Sequence, residues 1–437
     1  MFLDYQKDMS QLKAKSDIPI LYKQNVANDL FQLIYVFDMG NNHDKALGTA
    51  FDYLEYLGTS DMTPEELKSE FYRLACTFYV SPGNERTYVV LSGLNENMPA
   101  AVQLFEKLLA DAQVNKEAYT NMTSDILKAR SDAKLNQGQN FSRLMSFAMY
   151  GPKSPATNLL TEAELTNMNP QELVDRIHNQ NSYKHRILYY GPSSSKDLLA
   201  TINQYHQVPA ALKDIPAGNE YAYLETPVTK VLVAPYDAKQ IYMAQISNLD
   251  KKYDPAIEPI RALYDEYFGG GMNSIVFQEM RETRGLAYSA WASIMPPSYL
   301  KYPYVLRTQI ATQNDKMIDA VTTFNDIINN MPESEAAFKL AKDGLTNRLR
   351  TERIIKGDII WSYINAQDLG QNVDPRIKLY NDIQNMSLKD IVDFQKQWVK
   401  GRTYVYCILG DKKDLELDKL KAVGPIEEWT QEQIFGY

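Results

Sequence analysis

At 437 residues the chain is too long for one ordinary hydrophobic core and predicts two or three domains. Its 44% hydrophobic and 23% charged content is that of a globular protein, and 46 Lys and Arg against 55 Asp and Glu leave a net charge of -9. That balance excludes a broad phosphate-binding surface, and with it nucleic acid as a partner. The longest apolar stretch, residues 30–37 interrupted by Gln32, is far short of the ~18 residues a spanning helix needs, so no membrane partner is expected.

In chain order, two β-rich runs come first, at residues 18–23 and 31–37. A helix over residues 47–57 and a second helix follow, then a hairpin-like pair of strands, three or four helices and a closing strand at 186–190. Residues 215–226, IPAGNEYAYLET, carry the Pro and Gly of a connecting segment and place a domain boundary there, giving 1–215 and 216–437. Beyond it the same order returns, with strands at 228–233 and 241–247 and a closing strand at 404–409.

Within the second half, residues 268–290 read FGGGMNSIVFQEMRETRGLAYSA. Gly269, Gly270 and Gly271 lead into a helix whose Met272, Ile275, Val276 and Met280 repeat at helical spacing and predict a buried face. Arg284 and Gly285 mark its end, Gly supplying the left-handed residue and Arg offsetting the helix dipole. Residues 286–294 then predict a strand, so Arg281 on the last turn and Tyr288 on the strand meet at one end of a helix-turn-strand unit.

The chain is duplicated. NMNPQELVDRIHNQNSYKHRILYYG begins at Asn167 and NMSLKDIVDFQKQWVKGRTYVYCILG at Asn385, 218 residues later and half the chain length away. Ala101, Val102, Leu104, Phe105, Leu108 and Leu109 recur as Ala320, Val321, Thr323, Phe324, Ile327 and Ile328. Strands grouped around consecutive helices, without strict βαβ alternation, predict an α+β fold of two homologous sandwich domains. Each has a mostly antiparallel sheet with helices packed on one face.

Residues able to carry chemistry are few. The four His, at 43, 178, 185 and 206, lie at no metal-binding helical spacing, so no metal site is expected. His185 and His206 read as surface or hydrogen-bonded residues, and Cys76 and Cys407 as buried free thiols. The triple glycine lacks nucleotide-loop spacing and reads as a tight turn. Arg281 offers a rigid fork of donors and Tyr288 one phenolic donor, which together suit two peptide carbonyls or one developing oxyanion. The residue types alone equally allow Arg281 to pair with Glu279 or Glu282, and Tyr288 to pack under the sheet.

GGGMNSIVFQEMRETRGLAYSA resembles the signature of the second domain of insulinase and pitrilysin type metallopeptidases, in which a Gly-rich entry, an Arg and a Tyr seven residues later recur. The duplication matches that family's construction as well, so the resemblance covers essentially the whole chain. It implies one half of a clamshell, with zinc held by HxxEH in the other half. In that reading Arg281 and Tyr288 reach the substrate, and the turn at Gly269, Gly270 and Gly271 leaves room for it. The family's zinc helix corresponds to residues 47–57 here, where the motif positions read Asp52, Tyr53, Leu54, Glu55 and Tyr56. Both His are absent, so the resemblance is to the non-catalytic C-terminal half, or to a non-catalytic subunit.

The implied function is the zinc-free, substrate-binding half of a zinc metalloendopeptidase, inactive alone. It binds peptide substrates and partners an HxxEH half on the same polypeptide or on a separate subunit. The alternatives are a structural core subunit of the same fold, as in the respiratory cytochrome bc1 complex, and a module binding a peptide strand on the edge of either sheet. With no signal peptide in this chain, the expected compartment is the cytoplasm, or the periplasm or exterior if a leader sits on a missing N-terminal half.

Overall fold

A computed structural model describes residues 2–237 and 240–437. The strands are β1 (Ser10–Lys13), β2 (Pro19–Gln24), β3 (Leu30–Phe37), β4 (Cys76–Pro82), β5 (Thr87–Leu94), β6 (Arg186–Gly191), β7 (Lys230–Pro235), β8 (Gln240–Lys252), β9 (Ser289–Met295), β10 (Pro303–Gln313), β11 (Val405–Gly410) and β12 (Ile426–Glu428). They form two six-stranded sheets, ordered β1-β2-β6-β3-β5-β4 and β12-β7-β11-β8-β10-β9. The α+β class and the repeated order predicted from the sequence are both present. Five strands correspond position by position, and the sheets differ in the outermost strand, β1 from the N-terminus and β12 from the C-terminus. Each sheet is mixed, with β2 parallel to β6, and β7 parallel to both β11 and β12.

The sequence predicts helices on one face of each sheet, and the structure adds a helix on the other. Helix Gln137–Tyr150, from the first half of the chain, lies on the second sheet, where Phe141, Leu144 and Ala148 share a core with Leu232, Ala244, Val405 and Cys407. Helix Asp358–Asp368, from the second half, lies on the first sheet and packs Ile359, Ile360 and Ile364 against Leu21, Ile34, Val36 and Leu188. This exchange explains why the central strands read as continuous apolar runs. In β3, Phe31, Leu33, Tyr35 and Phe37 face the first half's own helices, while Ile34 and Val36 face the exchanged one. In β11 all six residues are buried.

Across the same junction Arg86 donates from Nη1 and Nη2 to the two carboxylate oxygens of Asp368, both at 2.6 Å. Among the described residues no helix is long and apolar enough to cross a membrane. Cys76 and Cys407 are free and buried, as expected.

Candidate functional site

The segment that carries Arg281 and Tyr288 starts where helix Glu258–Phe268 meets β9. A Cβ on Gly269 would lie 2.2 Å from the Ala292 carbonyl oxygen, and one on Gly270 would lie 2.8 Å from that of Asp265. Only Gly271 has open space where its side chain would be. Gly269 and Gly270 therefore allow close backbone approach, and a side chain would fit only at Gly271.

Ser274 caps the next helix, its hydroxyl accepting from the Phe277 amide at 3.4 Å. One α-turn, Ile275–Phe277, passes into the wider π-turn Gln278–Thr283. Turns of this kind concentrate at functional sites. Ile275, Val276 and Met280 are buried as predicted, but Met272 is 73% exposed. It precedes the cap and so lies in the glycine loop, outside the helical periodicity. The turn closes with the Leu286 amide donating to the Met280 carbonyl at 2.8 Å, and Gly285 takes φ 58°, the left-handed conformation expected of it. The following strand starts at Ser289 rather than at residue 286, leaving Tyr288 in the approach to it.

Arg281 and Tyr288 are brought together. The Arg281 guanidinium carbon lies 5.4 Å from the centre of the Tyr288 ring and 5.0 Å from that of Phe277. Tyr288 is 75% exposed, which removes the reading that it packs under the sheet. Arg281 does approach Glu282, at 3.6 Å with both side chains about half exposed, a surface pair that holds the guanidinium weakly. Arg284 takes Glu279 instead, at 2.8 Å. Both side chains border a cavity of about 290 Å³ that Ala311, Thr312, Gln313 and Lys316 also line. With Arg281 and Lys316 on its walls, the cavity favours carbonyl oxygens or anions.

Part of the β9 edge of the second sheet is bonded to neighbouring groups. Asp265 accepts from the Ile294 amide at 2.9 Å and from the Ser293 hydroxyl at 2.8 Å, and Arg261 donates to the Ile294 carbonyl at 3.0 Å. The Ala292 amide turns to the Gly269 carbonyl. These bonds use the outward backbone groups of Ile294 and the amide of Ala292, so an added peptide strand would find that end of the β9 edge occupied.

Helix Leu47–Leu54 is shorter than predicted, with Glu55 as its C-cap and Tyr56 beyond it. Tyr53 and Leu54 are buried, the Tyr53 hydroxyl donating to the Asn115 carbonyl at 2.6 Å. Asp52, Glu55 and Tyr56 are exposed and supply two carboxylates and a phenol, and Glu55 borders a cavity of about 420 Å³ lined by apolar residues including Leu54, Leu67, Phe71 and Phe78. Among the described residues no group of three or more His, Cys, Asp or Glu could hold a metal ion. The donor set does not fit zinc.

Sequence reasoning missed one buried constellation. His206 and His185 bring their Nε2 atoms to 2.8 Å, and His206 Nδ1 lies 2.7 Å from Glu106 Oε1. His185 Nδ1 donates to the Tyr183 carbonyl at 2.7 Å. All three side chains are buried, so neither His is a surface residue. With His185 Nδ1 donating to Tyr183, His206 Nε2 donates to His185 Nε2, and His206 Nδ1 faces the Glu106 carboxyl. Burial first, and His206 second, push the His185 imidazole down to about 4. The groups are far apart in the chain, and no local pattern joins them.

The chain is similar to known proteins in sequence and in fold. A family model described as the peptidase M16 inactive domain matches residues 187–345, a span that includes Arg281 and Tyr288. The chain is 23% identical over 422 residues to a Helicobacter pylori protein named non-peptidase homolog YmxG, covering 91% of this chain and 93% of that one. The fold matches the crystal structure of a peptidase M16 inactive domain from Pseudomonas fluorescens, with TM-score 0.71 and 15% identity, over 92% of this chain and 98% of that one. It also matches the periplasmic protease PqqL of Escherichia coli, with TM-score 0.72 and 13% identity, over 94% of this chain and 46% of that one.

Proposed function

We propose that the chain is an inactive-domain member of the peptidase M16 family, as its matches suggest, and a zinc-free, non-proteolytic peptide-binding protein that holds backbone carbonyls of a peptide with Arg281 and Tyr288. One observation carries this reading: both side chains stand exposed on one cavity rim, and neither belongs to a hydrophobic core. A guanidinium fork and a phenol are donors matched to carbonyl oxygens. The sequence alone ranks the substrate-binding half of a peptidase first. The name non-peptidase homolog on a relative matched over 93% of its length supports the non-proteolytic alternative instead.

A second reading is favoured by the fold match to PqqL, a protease of which this chain spans 46%, and by the resemblance to a family built of paired halves. In it, Tyr288 donates to the scissile carbonyl and Arg281 to a neighbouring one, in a composite site completed by an HxxEH half. The test measures peptide affinity of the isolated chain and peptide hydrolysis after mixing with an HxxEH partner. Full-strength binding by the chain alone, with no hydrolysis in the mixture, supports the first reading. Hydrolysis that appears only in the mixture and falls in Tyr288→Phe supports the second. Absence of both binding and hydrolysis supports a structural subunit.

A further inference from the structure

We propose that Arg307 is a carboxylate anchor that selects peptides carrying a free carboxylate, an acidic side chain or a C-terminus, for the site at Arg281 and Tyr288. The inference rests on the peptide-binding reading above and names its substrate class. Arg307 lies in the middle of β10, with Ser293 opposite it on β9 and Ile246 on β8. Its neighbours Tyr304, Leu306 and Thr308 point into the core and are fully buried, so Arg307, Gln309 and Ala311 occupy the opposite face. The exchanged helix Gln137–Tyr150 packs on β7, β8 and β11. Along β9 and β10 that face stays half-open, with Trp291, Ser293, Arg307, Gln309 and Ala311 all partly exposed.

Arg307 is held in place but not neutralised. Its guanidinium carbon sits 5.2 Å from the centre of the Trp291 ring, and Nη2 donates to Gln309 Oε1 at 3.0 Å. Nε is buried and has no hydrogen-bond partner. Among the described residues no carboxylate comes within ion-pair distance of it, whereas Arg86, Arg261 and Arg376 each have two. Burial pushes its pKa down, the mark of a charge with no local compensation. A half-buried, unpaired guanidinium is costly to the fold alone, and a bidentate carboxylate matches its free donors.

Position links Arg307 to the cavity. Ala311 lines that cavity, and its carbonyl accepts from the Tyr288 amide at 3.1 Å. Arg307 is four residues back along the same strand face, about 13 Å at ~3.3 Å per residue. An extended peptide with one carbonyl at Tyr288 thus places a carboxylate some four residues away on Arg307.

The test uses the full chain and three ten-residue peptides of otherwise neutral sequence: one amidated with no acidic residue, one amidated with a single internal Glu, and one with a free C-terminus. Affinity is followed by fluorescence anisotropy and by Trp emission, with Trp291→Phe identifying the Trp291 signal. At least one carboxylate peptide binds about tenfold or more tightly than the neutral one. Arg307→Gln abolishes that preference with neutral-peptide affinity unchanged, and Arg307→Lys restores only part of it. The internal-Glu and free-C-terminus arms identify the source. Equal binding of all three peptides, or a preference that survives in Arg307→Gln, overturns the anchor. If Tyr288→Phe still weakens all three in that case, the peptide-binding reading stands without it. A preference lost in Arg307→Gln, with the affinity of all three peptides untouched in Tyr288→Phe, keeps the anchor and removes the role of Tyr288. Absence of binding by every peptide overturns both. Should Arg307→Gln fail to fold, Trp291 emission of the wild type decides: no response to either carboxylate peptide overturns the anchor.

Discussion

Arg281 and Tyr288 face one another across a turn closed by Gly285, with the guanidinium carbon 5.4 Å from the ring centre. The contact orders two exposed side chains whose donors remain available to a ligand. Tyr288→Phe keeps the ring beneath Arg281 and removes only the hydroxyl. Its thermal unfolding is expected within about 0.5 kcal/mol of wild type, as for other surface changes. In the peptide-binding reading peptide affinity falls, whereas in the composite-site reading kcat of the mixture with an HxxEH half falls by ~10² to 10³ with little change in KM. Peptide titration and steady-state kinetics check this, and unchanged affinity together with turnover within a few-fold of wild type removes the role given to Tyr288.

Gly269 and Gly271 look alike in sequence and part company in the structure. A methyl group at Gly269 meets the Ala292 backbone at 2.2 Å, while one at Gly271 meets nothing. Gly269→Ala is expected to lower stability by about 1 to 3 kcal/mol or more through overpacking of the helix end on β9. Gly271→Ala changes urea-unfolding midpoints little. Equal midpoints for the two variants contradict this packing account.

That contrast shows where the sequence is legible. Strand positions, the repeated order and the Gly285 turn come from local signals, periodicity and a left-handed residue, and these survive folding unchanged. Met272 is misread because its spacing fits the helix, yet Ser274 starts the helix two residues later. The amphipathic pattern of Gln137–Tyr150 marks a buried face without saying which sheet buries it, and that sheet belongs to the other half of the chain. Glu106, His185 and His206 are joined only by tertiary packing, across 21 and 100 residues. Asp265 carries no local sign that it bonds to a strand edge.

The Arg86–Asp368 pair couples the two halves. Both side chains are mostly buried, and Arg86 Nε also reaches Asp38 at 2.6 Å. Asp368→Ala leaves the guanidinium with Asp38 alone, and breaking such a pair costs about 3 kcal/mol. The loss is expected at the junction, so helix Asp358–Asp368 gains amide exchange before the core of either sheet. Hydrogen exchange read by mass spectrometry checks this, and protection of that helix equal to wild type counts against a coupling role. Replacing both partners together, Arg86→Met with Asp368→Leu, is expected to recover part of the loss.

His185 makes the first half sensitive to acid. Its imidazole is held at about 4 in the folded protein, against an ordinary value near ~6.5. The folded pKa is depressed, so the unfolded state binds the proton first, and stability is lost as pH falls from about 6.5 toward 4. The shift corresponds to a loss on the order of 3 kcal/mol. The geometry gives the reason: a protonated His185 sets an N–H against the N–H of His206 at 2.8 Å, with His185 Nδ1 already committed to Tyr183. Urea unfolding at pH 7, 6, 5 and 4 is expected to show this fall in wild type. In His185→Gln, which keeps a polar group there but does not titrate, that part of the slope disappears. A slope between pH 6.5 and 4 that is the same in both proteins assigns the acid sensitivity to other groups.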